Sequence, residues 1–299
     1  MNYLQDSFHG DIDFELDEFH NETSGGENEN CKYSCLKIST ITLHGEFSHP
    51  LNLQALYENL NSQLKINYDP KNKKSKIKKK KGEQTFYNSS ELKLKILDRD
   101  STEMIESNVS VMPFPNGKFK IAGCKTIKTC NCICWEIIDI LKDTKDVITT
   151  EEEFNIKKLN IAMICSDFIF KPLKEDPDGW CLKQEDLKNI LNCYPSVSAT
   201  YSPLSRYPGI NVKYPSPMRK EKMVTLLIFR SGSIIITGAN NIYELKTTYK
   251  FIVDVLKKHV EELFYYDIGE DLKVKKKRKS AKKKAEAEEK KSSMKEEEG

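Results

Sequence analysis

The sequence predicts a pseudo-twofold α+β domain, and three observations carry that prediction. The first is an internal repeat. Residues 114–142 and 229–257, compared at a constant offset of 115, share nine identities in 29 positions without a gap. The second is a pair of hairpin signals, Pro115-Asn116-Gly117 and Arg230-Ser231-Gly232, each flanked by short apolar runs. The third is that each copy closes on a stretch with apolar residues at helical spacing. Each copy therefore reads strand, helix, strands, helix.

The elements follow in order. Residues 1–30 hold nine acids and no Lys or Arg, so a disordered acidic leader is expected over 1–32. Residues 36–43, Leu-Lys-Ile-Ser-Thr-Ile-Thr-Leu, are β-rich and partly alternating, which reads as a strand. Leu51, Leu53, Leu56, Leu60 and Leu64 keep helical spacing after Pro50. Eight lysines and no acid fill 71–81, so a Lys-rich insertion is expected at 70–85. Glu91–Leu97 alternates as a strand. Asn108–Phe114 and Lys118–Ala122 flank the first turn, and Thr126–Leu141 is a helix with an apolar stripe at Ile133, Ile137, Ile140 and Leu141. These complete a first repeat over 33–145. The second, over 155–268, brings strands at Leu159–Phe170, Gly209–Lys213, Met223–Phe229 and Ser233–Thr237. It also brings a short helix at Gln184–Tyr194 and a long one at Asn241–Tyr266. The opening strands align at an offset of 124, which pairs Leu36 with Asn160. A disordered Lys/Glu-rich tail is expected over 270–299.

Charge and composition exclude several classes. The net charge of +3 over 299 residues hides the acidic leader, the lysine loop and a final stretch, residues 273–299, with twelve bases and six acids. Such blocks are usually solvated interaction segments. No apolar run approaches the length of a membrane helix. The acidic N-terminus is neither a secretory signal nor a transit peptide. Nine cysteines scattered through a Lys-rich chain read as reduced thiols. Cys130 and Cys134 share a helix face near Cys124, but Cys132 points away and the paired loops of a structural zinc site are missing. The five histidines form no ligand or nucleophile constellation, and no phosphate-cradling loop is present. Neither an enzyme nor a cofactor is expected.

The strands carry the functional clue. Met223–Phe229 is largely apolar on both faces, Val224, Leu226 and Ile228 on one and Met223, Thr225, Leu227 and Phe229 on the other. Antiparallel sheets usually keep one face wet, and each repeat has helix enough to cover only one. The other face is left open, apolar and rimmed by lysine, which marks a binding surface. One ligand of matching chemistry is the DNA minor groove, where apolar wedges enter base steps and cations meet phosphates. A second sheet or a partner protein covering that face is the alternative.

These residues resemble a family. Tyr207-Pro208-Gly209-Ile210 and the run from Val224 through the Arg230-Ser231-Gly232 turn to Ala239 look like the second repeat of the TATA-box-binding protein family. Phe114-Pro115-Asn116-Gly117 through Lys125 resembles the matching segment of its first repeat. Ile38–Leu43 and Lys158–Ile161 resemble its opening strands. The resemblance spans about residues 34–266 and is stronger in the second repeat. It implies a saddle, one curved antiparallel sheet with helices on its convex face. It also implies a transcription initiation factor that binds and bends A·T-rich promoter DNA in the minor groove. The implied partners are double-stranded promoter DNA, a transcription factor IIB-like protein and the RNA polymerase machinery. A protein-interaction module of the same fold remains the alternative.

The resemblance implies site residues one by one. Phe114 and Phe229 match wedging phenylalanines, Tyr207 stands at the second repeat's other wedge, and Phe86 is the candidate for the first repeat's. Asn160 and Thr237 match the polar pair at the groove centre, where the first repeat holds Leu36 and Ala122. Leu227, Ile235, Ile38 and Ala162 would line the groove floor. Lys118, Lys125 and Lys213 match phosphate-facing positions, and Lys120 replaces an apolar groove residue, so one half-site should be read differently. The loop Tyr201-Ser202-Pro203-Leu204-Ser205-Arg206 lacks the family's acids, which implies altered contacts to the next factor. Lys275-Lys276-Lys277-Arg278-Lys279 resembles a nuclear localisation signal. The site of action is then the nucleus or, for a virus-encoded chain, a cytoplasmic factory.

Overall fold

The computed structural model describes residues 23, 25–60, 89–97, 104–173, 179–204 and 208–267. Among the described residues eleven antiparallel strands form one sheet, nine of them along a single path. In the first repeat these are β3 (Lys37–Phe47), β4 (Leu92–Leu97), β5 (Met104–Pro113) and β6 (Lys118–Cys124). In the second they are β7 (Ile156–Pro172), β9 (Ser198–Thr200), β10 (Ile210–Pro215), β11 (Met223–Ile228) and β12 (Ser233–Ala239). The strand order is β4-β5-β6-β3-β7-β12-β11-β10-β9, so β3 and β7 pair at the centre and join the halves. The helices are α1 (Leu53–Leu60) and α2 (Ile127–Asp143) in the first repeat, then α3 (Gln184–Leu191), α4 (Ile242–Lys258) and the short α5 (Val260–Leu263). This is the pseudo-twofold α+β architecture that the sequence predicts.

The repeat is exact in places. α2 and α4 start and stop 115 residues apart, and both begin on a capping side chain. Thr126 Oγ1 accepts from Thr129 N at 3.0 Å, and Asn241 Oδ1 accepts from Glu244 N at 2.9 Å. Such caps satisfy a helix-end N–H that has no intrahelical partner. The two hairpins also match. Gly117 and Gly232 sit at φ +79° and +78°, a conformation that strains any residue with a side chain. Phe47 N donates to Gly117 O at 2.8 Å, and Phe170 N donates to Gly232 O at 2.9 Å.

Alternation decides which face is buried. Leu226, Ile228, Ile234 and Ile236 are fully buried beneath the helices, each contributing about 1.5–3 kcal/mol of burial. Val109, Val111, Phe119 and Ile121 do the same in the first repeat, and both halves share one core.

The structure departs from the sequence reading in several places. Residues 25–34, which the charge pattern puts in the leader as far as residue 32, form a hairpin of β1 (Gly25–Glu27) and β2 (Cys31–Ser34). β2 pairs with the far end of β7. Tyr33 anchors it, stacked 6.0 Å from Phe170 and taking a hydrogen bond from Lys257 Nζ at 2.8 Å. The long helix expected over Asn241–Tyr266 stops at Lys258, because Phe264–Tyr266 becomes β13 and pairs with β8 (Trp180–Leu182). A Phe-Tyr-Tyr run packs better on a pleated surface than along a helix. The lysine loop and the charged tail lie outside the described residues.

Candidate functional site

The face opposite the helices is built from cross-strand rows. In the second repeat one row runs Asn211, Leu227, Ile235, Asp167, Lys37 across β10, β11, β12, β7 and β3. The next runs Lys213, Thr225, Thr237, with Cys165 and Thr40 completing it. Leu227, Ile235, Thr225 and Thr237 are half-buried, so this half offers an apolar and hydroxyl surface. Thr237 sits at its centre, its Oγ1 3.1 Å from Cys165 Sγ and donating to Met163 Sδ at 3.2 Å. Lys213 lies across the strand and donates from Nζ to Thr225 Oγ1 at 2.7 Å.

The first repeat carries the equivalent rows with different chemistry. Met112, Lys120, His44 and Asn160 form one, and Lys93, Ser110, Ala122, Thr42 and Met163 the other. An outer row joins Lys118, Glu46 and Lys158. Lys120 and His44 thus stand where Ile235 and Asp167 stand in the second repeat. Phe114 and Phe229, both half-buried, sit at the two hairpin turns. Phe114 N donates to Lys118 O at 2.8 Å and Phe229 N to Ser233 O at 2.9 Å. The face therefore has an aromatic ring at each end.

The second repeat matches the family model for "Transcription factor TFIID (or TATA-binding protein, TBP)" over residues 183–259. The chain is 26% identical over 268 residues to the TATA-box-binding protein-like protein of Acanthamoeba polyphaga mimivirus, covering 79% of this chain and 69% of that one. The chain is thus similar to proteins of the TATA-box-binding protein family, most clearly in its second repeat. Among solved structures, Methanococcus jannaschii TBP aligns with a TM-score of 0.48 and 20% identity, covering 75% of this chain and 98% of that one.

The register corrects the alignment of the opening strands to the TATA-box-binding protein pattern. Adding 123 to a β3 residue and subtracting 123 from its β7 partner turns each pair from Lys37↔Asp167 to His44↔Asn160 into another observed pair. Ile41↔Ile164 maps onto itself and marks the pseudo-twofold axis. The offset is 123 rather than 124, so Asn160 corresponds to Lys37, not Leu36. Leu36 and Leu159 are equivalent and both buried. Ile38, expected on the groove floor, instead packs against the core. It pairs with Ser166, which is fully buried on the helix side. The cause is a register shift between Ile38 and Thr40, which swings the earlier residues of β3 to the other face. Ala162 falls in the equivalent shift of β7, half-buried between Ile161 and Met163.

The other expected residues fall as follows. Lys118, Lys120, Lys125 and Lys213 are exposed, and Ala122 lies half-buried on the open face beside Thr42. Phe86 and Tyr207 lie outside the described residues. In the loop that begins at Tyr201, Leu204 is 98% exposed.

Sequence reading misses a support under the second repeat. Glu244, fully buried in the first turn of α4, accepts from Arg219 Nε at 2.7 Å, Arg219 Nη2 at 2.9 Å and Asn240 N at 2.9 Å, and also from Ser216 Oγ. Burial pushes its carboxyl up, but the bonds from Arg219, Ser216 and Asn240 outweigh it and hold the group below its ordinary value. Arg219 Nη2 also donates to Gly238 O at 2.7 Å, directly after Thr237. The fork thus fixes the bulged end of β12, where the central threonine sits. A lone Arg in a Pro-Ser-Pro-Met-Arg loop gives no signal of a partner 25 residues away.

Proposed function

We propose that the open face binds A·T-rich duplex DNA in the minor groove, bends it with Phe114 and Phe229 at its ends, and so nucleates a transcription initiation complex. One observation carries this reading. A half-apolar sheet face with a ring at each end and lysines along its rows has the chemistry the minor groove requires. Apolar wedges open base steps while cations meet phosphates, a mode of binding for which the TATA-box-binding protein family is itself a known example. Asn160 and Thr237 would read the groove floor, together with Leu227, Ile235 and Ala162. Lys118, Lys125 and Lys213 would face phosphates, and Tyr207 and Phe86 are the further wedge candidates.

The two halves would read DNA unequally. The second repeat meets the groove floor with Leu227, Ile235 and Thr237, while the first meets it with Lys120, His44 and Ala122. Sequence preference should then concentrate on one half-site, the other half holding mainly through charge. Partners of the transcription factor IIB type would dock through Leu204 and its loop rather than through acids. The site of action would be the nucleus or a viral factory. A second reading, a protein occupant of the same face, is favoured by Asp167, whose carboxylate stands beside Ile235 where a phosphate would be repelled.

The test is a gel-shift and bending assay on A·T-rich and G·C-rich duplexes. The reading expects preference for the A·T-rich duplex. It also expects Phe229→Ala to lose about tenfold in affinity, roughly 1.4 kcal/mol, together with much of the bend. Equal binding of both duplexes, unchanged by the substitution, would sink it.

A further inference from the structure

The leader contains one segment whose sequence pattern the proposed DNA binding does not use. Residues 11–19 read Asp-Ile-Asp-Phe-Glu-Leu-Asp-Glu-Phe. From Asp11 to Asp17 acids and apolar residues alternate strictly. In an extended chain this puts Ile12, Phe14 and Leu16 on one side and Asp11, Asp13, Glu15 and Asp17 on the other. Residues 1–22 hold seven acids and no Lys or Arg.

The open face has the complementary pattern. Its second-repeat rows carry the apolar pair Leu227 and Ile235 beside the hydroxyls of Thr225 and Thr237, and six exposed lysines stand on the rows of the face: Lys37, Lys93, Lys118, Lys120, Lys158 and Lys213. Among the described residues, Asp167, Glu46 and Glu91 are carboxylates on the same face.

The tether points the segment there. Thr23 O accepts from Leu36 N at 3.0 Å, which anchors the leader one residue before Lys37. Three residues separate position 19 from Thr23, a reach of about 10 Å, and the nine-residue segment extends to about 30 Å. From β3 to β11 is three strand spacings, about 14 Å. The segment can therefore cover Ile235 and Leu227 without stretching. A short tether also gives an effective concentration in the millimolar range, so even weak complementarity fills the face.

We propose that residues 11–19 dock on the open face of their own chain, with Ile12, Phe14 and Leu16 against the apolar rows and the four acids towards the lysines. Leader and duplex then compete for one surface. The proposal deepens the DNA-binding reading and rests on it for the competition alone.

The test uses the full-length chain carrying the photo-crosslinker p-benzoylphenylalanine at position 14. Irradiation should join position 14 to the peptide spanning β11 and β12 of the same molecule, and an A·T-rich duplex should suppress that product. A second full-length variant exchanges neighbours, Ile12→Asp with Asp13→Ile and Leu16→Asp with Asp17→Leu. It keeps composition and charge but breaks the alternation. It should lose the crosslink and bind the duplex at least threefold more tightly at low salt. Crosslinks elsewhere, crosslinks only between two molecules, or affinity unchanged by the exchange overturn the proposal. If the duplex fails to bind while the crosslink within one molecule persists, the DNA reading falls and the docking stands. If the duplex binds and no crosslink forms, the reverse holds.

Discussion

Arg219→Met would test whether the buried fork supports the second repeat. The substitution keeps the length of the stem and removes both donors to Glu244 and the one to Gly238. Breaking a buried ion pair by deleting one partner costs about 3–5 kcal/mol. The Arg219 side chain is 28% exposed, so water reaches its end of the pair and the lower value, about 3 kcal/mol, is expected. With a urea slope of about 3 kcal/mol per molar for a domain of this size, the unfolding midpoint should fall by about 1 M. The pH dependence follows from the depressed carboxyl. Glu244 contributes stability that is full above its ordinary value of 4.5 and is lost as pH falls through the lower folded value. With Arg219 removed that contribution disappears, so the gap between the two proteins is widest at neutral pH and closes in acid. Urea titrations at about pH 7 and about pH 3, followed by tryptophan fluorescence, measure it. A midpoint shift at neutral pH below about 0.2 M, or a gap equal at both pH values, would refute the reasoning.

Three further outcomes are expected. Gly232→Ala should destabilise the chain by at least about 2 kcal/mol, measured by thermal unfolding. A Cβ there meets Phe170 O at 2.0 Å on a backbone of φ +78°, and an unchanged melting temperature would contradict that geometry. Lys120→Ile restores on the first repeat the residue type that Ile235 supplies on the second. Selection from a randomised duplex pool should then show A·T preference extending over both half-sites, and an unaltered site would count against unequal reading. A thiol reagent at neutral pH should modify exposed Cys193 quickly and leave Cys130 and Cys134 untouched until the chain unfolds. The hydrogen bond to Cys124 and burial raise the Cys130 thiol, and burial raises Cys134. Equal native rates at the three would contradict this.

Much of the fold is legible in the chain because its signals are local. Gly117 and Gly232 announce positive-φ turns, Leu226 and Ile228 alternate with Thr225 and Leu227, and α2 and α4 keep helical spacing. The same alternation puts Leu227, Phe229, Ile235 and Thr237 on one face of the second repeat's hairpin, opposite the buried Leu226, Ile228, Ile234 and Ile236. Local reading fails where a partner is distant in the chain. The resemblance likewise puts Ile38 on the groove floor, because a register shift of one residue leaves no mark on the sequence, yet turns every side chain before it to the other face. Local reading runs the helix on to Tyr266 because only the pairing of Phe264–Tyr266 with Trp180–Leu182 ends it.

The sequence by itself determined the duplication, the two hairpins and their glycines, the paired helices and the half-apolar strands of the second repeat. Each depends on φ/ψ preference, period or identity within a few residues. Only the tertiary structure decided the pseudo-twofold axis at Ile41↔Ile164, the equivalence of Asn160 with Lys37, and the burial of Glu244 on Arg219. These depend on which residues meet across strands and loops far apart in the chain. That meeting is fixed by how β3 and β7 pack over the shared core, and no local pattern encodes it.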